Sequence, residues 1–157
     1  MTQVEILQQK GNNFLWIDNY LWMWDLPIER KVQKQIADKA FGNVLVAGYG
    51  LGLVQKYLSE NPKVKSITTV ERSKEVIESV KKVYGKTYGK IIVEDFYSYL
   101  TEEKFNCIIG DVWEDIIPKA LENYREFKTK AKELLKENGK ILAWGQEFFE
   151  YLIENKK

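Results

Sequence analysis

Three glycines separated by single residues, Gly48, Gly50 and Gly52, close the apolar run Val44-Leu45-Val46-Ala47. A helical pattern of Leu51, Val54 and Leu58 follows at once. A buried strand that passes through such a turn into a helix can bring its backbone against a nucleotide, because glycine permits approaches that a Cβ forbids. Tyr49 sits inside the turn. Acidic residues stand in matching places further on: Glu71 after the run Val64–Val70, Asp95 after Lys90–Val93, and Asp111 after Phe105–Gly110, with Trp113, Glu114 and Asp115 just beyond. Ligands of parallel α/β sheets sit at the carboxyl ends of the strands. The glycine turn and three acids would then face one site.

Each position has its own chemistry. Glu71 lies 19 residues beyond Gly52, where a carboxylate can accept both ribose hydroxyl protons of an adenosine; Arg72 is its neighbour. Asp95 is placed to accept from the adenine amino group with Phe96 beside the base, or else to cap a short helix over Tyr97–Leu100. The third small residue of a dinucleotide fingerprint would fall on Leu53, and no Walker lysine is present, so neither a dinucleotide nor a triphosphate is the expected ligand. The chain has no histidine. That removes the usual general base, every Ser-His or Cys-His pair and most zinc sites. Asp111, Glu114 and Asp115 could gather only a hard cation through oxygen, and no metal is expected.

The elements that must hold these residues follow from periodicity. Val4–Leu7 could form a short strand, and Phe14–Ile17 and Tyr20–Trp24 read as a hairpin turning at Asp18-Asn19,. Trp16, Trp22 and Trp24 would pack it on the domain. Pro27 opens a helix whose apolar stripe is Ile28, Val32, Ile36 and Ala40,. After the first strand come a helix over Leu51–Ser59, the second strand, a helix from Ser73 to Tyr84, the third strand, the short helix, and the fourth strand. Pro118 starts a long helix to Lys136, Asn138-Gly139 ends it, and Ile141–Trp144 is a fifth strand before a helix over Gln146–Glu154. This alternation predicts a Rossmann-like, doubly wound, mostly parallel α/β sheet of about five strands with an N-terminal β-hairpin.

The motifs VLVAGYGLG, TTVERS, VEDFYSYL and FNCIIGDVW resemble the successive nucleoside-site motifs of class I S-adenosylmethionine-dependent methyltransferases. The hairpin and the stretch IIGDVWEDI are similar to spermidine synthase and its relatives. The resemblance covers roughly residues 40–145. It implies strand order 3-2-1-4-5, without the family's last two strands, and S-adenosylmethionine as cofactor. Gly48, Gly50 and Gly52 would pass close to the methionyl and ribose part, Glu71 would hold the ribose, and Asp95 the adenine amino group. Asp111 would face the sulfonium and the acceptor, as base or clamp, with Tyr20, Trp22 and Trp113 as aromatic walls worth about 0.5–2 kcal/mol each toward a cation. The implied activity is methyl transfer to a small molecule. The alternatives are aminopropyl transfer from the decarboxylated cofactor, as in spermidine synthase, and a non-catalytic nucleoside-binding protein of the same fold. Val46 stands where many methyltransferases carry an acidic residue, and Leu51 where spermidine synthases carry Asp.

Composition sets the remaining expectations. The 157 residues suit one domain, with an N-terminal extension over 1–25 and a core over 26–157,. A net charge of +1 creates no field for nucleic acid or membrane,, and Lys128, Lys130 and Lys132 read as solvated. No apolar run nears the ~20 residues of a spanning helix. One cysteine and no leader pattern fit the cytoplasm,. The open edge of the fifth strand would suit a homodimer.

Overall fold

The structure, a computed structural model, describes residues 3–111, 113 and 116–155. Glu114 and Asp115, two of the three carboxylates of the conceivable cation site, lie outside the described residues. The chain opens with an antiparallel sheet of three strands, β1 (Val4–Gln9), β2 (Asn12–Ile17) and β3 (Tyr20–Trp24). The expected hairpin thus gains a full third strand. Asp18 and Asn19 both take positive φ, 48° and 65°, the mirror-image turn whose twist matches the strands it joins. Alternate residues Val4, Ile6, Leu15, Ile17 and Trp22 pack with Tyr49, Leu51, Val76, Ile77 and Val80. The small sheet is therefore seated on the glycine turn and on one helix of the core.

That core runs α1 (Pro27–Asp38), β4 (Gly42–Ala47), α2 (Leu53–Ser59), β5 (Val64–Glu71), α3 (Lys74–Tyr84), β6 (Lys90–Val93), β7 (Phe105–Gly110), α4 (Leu121–Leu134), β8 (Leu135–Ala143) and α5 (Gln146–Asn155). The five strands pair in parallel in the order β6-β5-β4-β7-β8, which is the expected 3-2-1-4-5. Both faces of β4 are buried. Val44 and Val46 meet α1 and α2 through Ala37, Val54 and Leu58, with Ala40 just beyond α1. Leu45 and Ala47 belong to the cluster of α4 and α5, which contains Tyr124, Phe127 and Phe149. The continuous apolar run of β4 is what a strand covered on both sides requires.

Four boundaries differ from expectation. The helix α2 begins at Leu53, because Gly52 holds the left-handed φ of 76° just before it. The short helix after β6 is a 3-10 turn over Phe96–Ser98, capped by Asp95. Pro118–Ala120 is a separate 3-10 turn ahead of α4. The largest difference is β8, which starts at Leu135 with no loop after α4. Phe105 pairs with Leu135 and Cys107 with Lys140, so Asn138-Gly139, at φ 64° for Asn138, forms an irregular bulge inside the strand. The α1 stripe is also rotated. Ile28 is 70% exposed, whereas Gln33 and Ala37 are buried, because Gln33 finds carboxylate partners on the inward side.

A buried carboxylate ties the small sheet to the core. Asp25 accepts from the Asn13 backbone N–H (2.5 Å), the Asn13 Nδ2 (2.7 Å) and the Tyr84 hydroxyl at the end of α3 (2.8 Å). Burial, followed by this bond to Asp25, raises the Tyr84 phenol well above its ordinary range. Replacing Asp25 by Ala leaves these donors unpaired in a dry site, at about 1–3 kcal/mol for each group that stays buried. Asp25→Ala is therefore expected to lower stability by about 2–4 kcal/mol in urea titrations with an unchanged slope; a loss within the roughly 0.5 kcal/mol of ordinary surface substitutions would remove the anchor.

Candidate functional site

Gly48, Gly50 and Gly52 all have positive φ, at 90°, 54° and 76°. At two of them a side chain would also press on a neighbour. A Cβ on Gly50 would lie 2.5 Å from the Met23 sulfur, and one on Gly52 2.6 Å from the Tyr49 ring. The turn is pinned from three sides. The Gly48 N–H donates to the Val70 carbonyl at 2.9 Å. The Leu51 N–H approaches Met23 Sδ at 3.4 Å. The Tyr49 N–H donates to Glu71 Oε1 at 2.9 Å, while the other Glu71 oxygen accepts from the Ser73 N–H at 2.8 Å. An ionised carboxylate offers about four acceptor positions, so these two bonds leave Glu71 with capacity for a ligand's hydroxyls.

A cleft of about 380 Å³ opens above the carboxyl ends of β4, β5, β6 and β7, a size that suits a small-molecule ligand. Of the residues expected at a site, Gly48, Tyr49, Gly50, Glu71, Arg72, Asp95, Phe96, Asp111, Tyr20, Trp22 and Trp113 all line it. Gly52 does not. It stands at the start of α2 under Tyr49. Asp95 caps the 3-10 turn, its Oδ1 accepting from the Tyr97 N–H at 2.9 Å, and it also lines the cleft. Trp113, only 2% exposed, also belongs to the core, with its ring edge-on to Tyr124 and Phe149 and its N–H donating to the Trp144 carbonyl at 3.1 Å. Tyr20 and Trp22 form a tilted pair at the mouth, with ring centroids 6.2 Å apart.

Sequence reasoning missed Glu29 and Gln33. These residues of α1 reach the cleft beside Asp111. The Gln33 side-chain amide, 1% exposed, donates to Glu29 Oε1 at 2.8 Å and to Asp111 Oδ2 at 3.1 Å. Burial pushes the Asp111 carboxyl up to about 7, the Glu29 charge pushes it the same way, and the Gln33 bond works against both. Burial also raises Glu29, again opposed by Gln33. The available signal was the i, i+4 spacing of an acid and an amide on one helix, which the misplaced apolar stripe concealed. Among the described residues no group of three or more His, Cys, Asp or Glu converges as a metal site, and no helix is long and apolar enough to cross a membrane.

A protein-family model, the spermine/spermidine synthase domain, matches residues 34–155. The ribosomal RNA small subunit methyltransferase A of Flavobacterium johnsoniae is 31% identical over 113 residues, covering 67% of this chain and 42% of that protein. A spermidine synthase solved in complex with the transition-state analogue AdoDATO matches 95% of this chain and 57% of its own, with TM-score 0.70 and 18% identity. The spermidine synthase of Thermotoga maritima matches 88% and 51%, with TM-score 0.66 and 19% identity. An S-adenosylmethionine-dependent methyltransferase from Clostridium acetobutylicum and the plantazolicin methyltransferase BpumL share the fold at TM-scores of 0.52 and 0.56, with 18% and 15% identity. Such low identities show the fold alone. The chain spans about half the length of these relatives, or less. With an rRNA methyltransferase among them, net charge alone no longer excludes a nucleic-acid acceptor, and none of their descriptions supports the expected homodimer.

The carboxyl of Asp111 supplies a test of the site's electrostatics. Its proton is held to about 7 in the folded chain and lost near the ordinary 3.8 when unfolded. The stability it contributes is complete below the unfolded value and is lost as pH rises through the folded one. Asparagine cannot ionise and keeps the Gln33 bond. Asp111→Asn should therefore gain on wild type, on the order of 1 kcal/mol, between about pH 5 and about pH 8. Urea midpoints at both pH values check this, and a constant gap would refute it.

Proposed function

The chain belongs to the spermine/spermidine synthase domain family, and from that premise we propose that it is a transferase moving an alkyl group from an S-adenosyl sulfonium to a small acceptor. Methyl transfer from S-adenosylmethionine is the first reading. The observation that carries it is the meeting of the glycine turn, Glu71, Asp95 and Asp111 in one cleft. The donor set fits the cofactor's parts. Gly48 and Gly50 of the turn line the cleft and offer backbone to the methionyl chain, the remaining lone pairs of Glu71 suit a ribose diol, and Asp95 with Phe96 suits an adenine edge. When bound, the cofactor supplies an electrophilic carbon activated by its sulfonium. Glu71 and the turn then fix orientation, which is the larger share of such catalysis. Asp111 accepts the acceptor's proton. A carboxyl raised to about 7 is a better base than an ordinary aspartate, because its affinity for a proton is higher.

A second reading is aminopropyl transfer from the decarboxylated cofactor. It is favoured by the charge of the cleft, which Glu29, Glu71, Asp95 and Asp111 line against Arg72 as the only cation among the described residues. A methionyl carboxylate finds little attraction there, and an amine finds much. Leu51 argues the other way, since it is buried with Val76 and Ile77 at the place of the synthases' Asp.

Both S-adenosylmethionine and S-adenosylhomocysteine are expected to raise the melting temperature, and NAD is not; the reverse pattern would move the protein to another class. Calorimetry with S-adenosylmethionine and its decarboxylated form separates the two transfers, since only the methyl donor carries the carboxylate. Glu71→Gln keeps the side chain's shape but loses its charge. It should weaken adenosine-cofactor binding by about 1.5 kcal/mol or more, roughly tenfold, and unchanged affinity would sink the ribose assignment.

A further inference from the structure

Glu29 and Asp111 share a donor. Each of the two amide hydrogens of Gln33 reaches one carboxylate, at 2.8 Å and 3.1 Å, so the two acids stand within roughly 6 Å of each other, where one negative charge disfavours the other. Gln33 itself is 1% exposed and cannot be replaced by water without opening the wall. The other titratable groups around the cleft are Glu71 at the end of β5 and Arg72 after it, Asp95 and Tyr97 after β6, Tyr20 of β3 and Tyr49 of the turn. None of these hydrogen-bonds to Asp111 or Glu29 among the described residues, and the single cation, Arg72, is exposed. Two half-buried carboxylates with only a neutral amide between them disfavour each other's charge,.

We propose that Glu29 and Asp111 act as a pair carrying one proton between them, and release that proton when a positively charged ligand enters the cleft, with Gln33 as the positioning residue. The exchange balances: the proton leaves to solvent, and the ligand's positive charge takes its place beside two ionised carboxylates. The pair as a whole, rather than either acid, has the titration. The ligand half of this inference rests on the transferase reading. In that setting the exchange lets the cleft distinguish a sulfonium cofactor from the neutral thioether left after transfer, because only the former can replace the proton.

Carboxyl-¹³C NMR of Asp- and Glu-labelled protein tests the pair without any ligand, with Asp111→Asn and Glu29→Gln to assign the signals. The expected result is two separated titration steps, the upper one near neutrality. In Glu29→Gln a single lower step should remain. In Gln33→Met, which keeps length but cannot donate, the upper step should rise by about one pH unit, a tenfold gain in proton affinity. Two independent titrations in the ordinary carboxylate range would overturn the proposal. So would a Gln33→Met protein that is less stable yet titrates unchanged, since Gln33 would then be structural only. Calorimetry at neutral pH in two buffers of different ionisation enthalpy tests the exchange. S-adenosylmethionine should release more protons than S-adenosylhomocysteine, and equal release would overturn it. Failure of both compounds to bind would sink the cofactor reading, while the NMR titration would still decide the pair.

Discussion

The backbone N–H of Tyr49 donates to the carboxylate at the end of β5, and the same carboxylate accepts from the N–H of Ser73, the residue that caps α3. Much else depends on this arrangement. It fixes the glycine turn relative to the neighbouring strand, and so fixes where the cleft's floor lies. It also orients Glu71 across the cleft mouth. The Gly48 N–H, bonded to the Val70 carbonyl, repeats the tie one residue earlier. A turn of three positive-φ glycines would be loose alone; held by two strands and a side chain, it becomes a fixed surface. Preorganised backbone of this kind costs a ligand little ordering on arrival.

The N-terminal sheet completes the site from the other side. Its inner face buries Leu15, Ile17 and Trp22 against Tyr49, Leu51 and α3, and Met23 places its sulfur over Gly50. Asp25 then locks the end of β3 to Asn13 and Tyr84. Immediately afterwards α1 begins, and its first turns carry Glu29 and Gln33 back to Asp111. The order of elements matters here: the segment that roofs the turn leads directly into the helix whose Glu29 carboxylate perturbs the charge of Asp111. Packing of the roof and electrostatics of the floor are therefore mechanically linked through fewer than a dozen residues.

The core strands β4 and β7 were legible as apolar runs ending in a glycine or an acid, the alternation with helices implied a parallel sheet, and the family resemblance supplied its order. The strand-end acids were legible for the same reason, since topology places every strand terminus on one side. Local pattern failed where a distant partner decided the outcome. Asn138-Gly139 carries the residues of a helix stop, but pairing of Leu135 with Phe105 pulls the segment into β8. Gln33 looks like a surface residue, but Asp111, 78 positions away, gives it a reason to be inside. No periodicity on α1 encodes that contact, because the contact exists only after β7 has been placed.

Four of the five tryptophans, Trp22, Trp24, Trp113 and Trp144, border the cleft. Indole emission depends on local polarity and on nearby quenching groups, and here the rings share one cleft with Glu29, Gln33, Glu71, Asp95 and Asp111. The protein thus carries its own optical reporter at the place where occupancy matters. Arrival of a molecule, a change in carboxylate charge, or a movement of the roof alters the light from the same cluster of rings. Single replacement of Trp22 and Trp24, on the sheet, against Trp113 and Trp144, in the core, divides that signal between roof and floor without any added label.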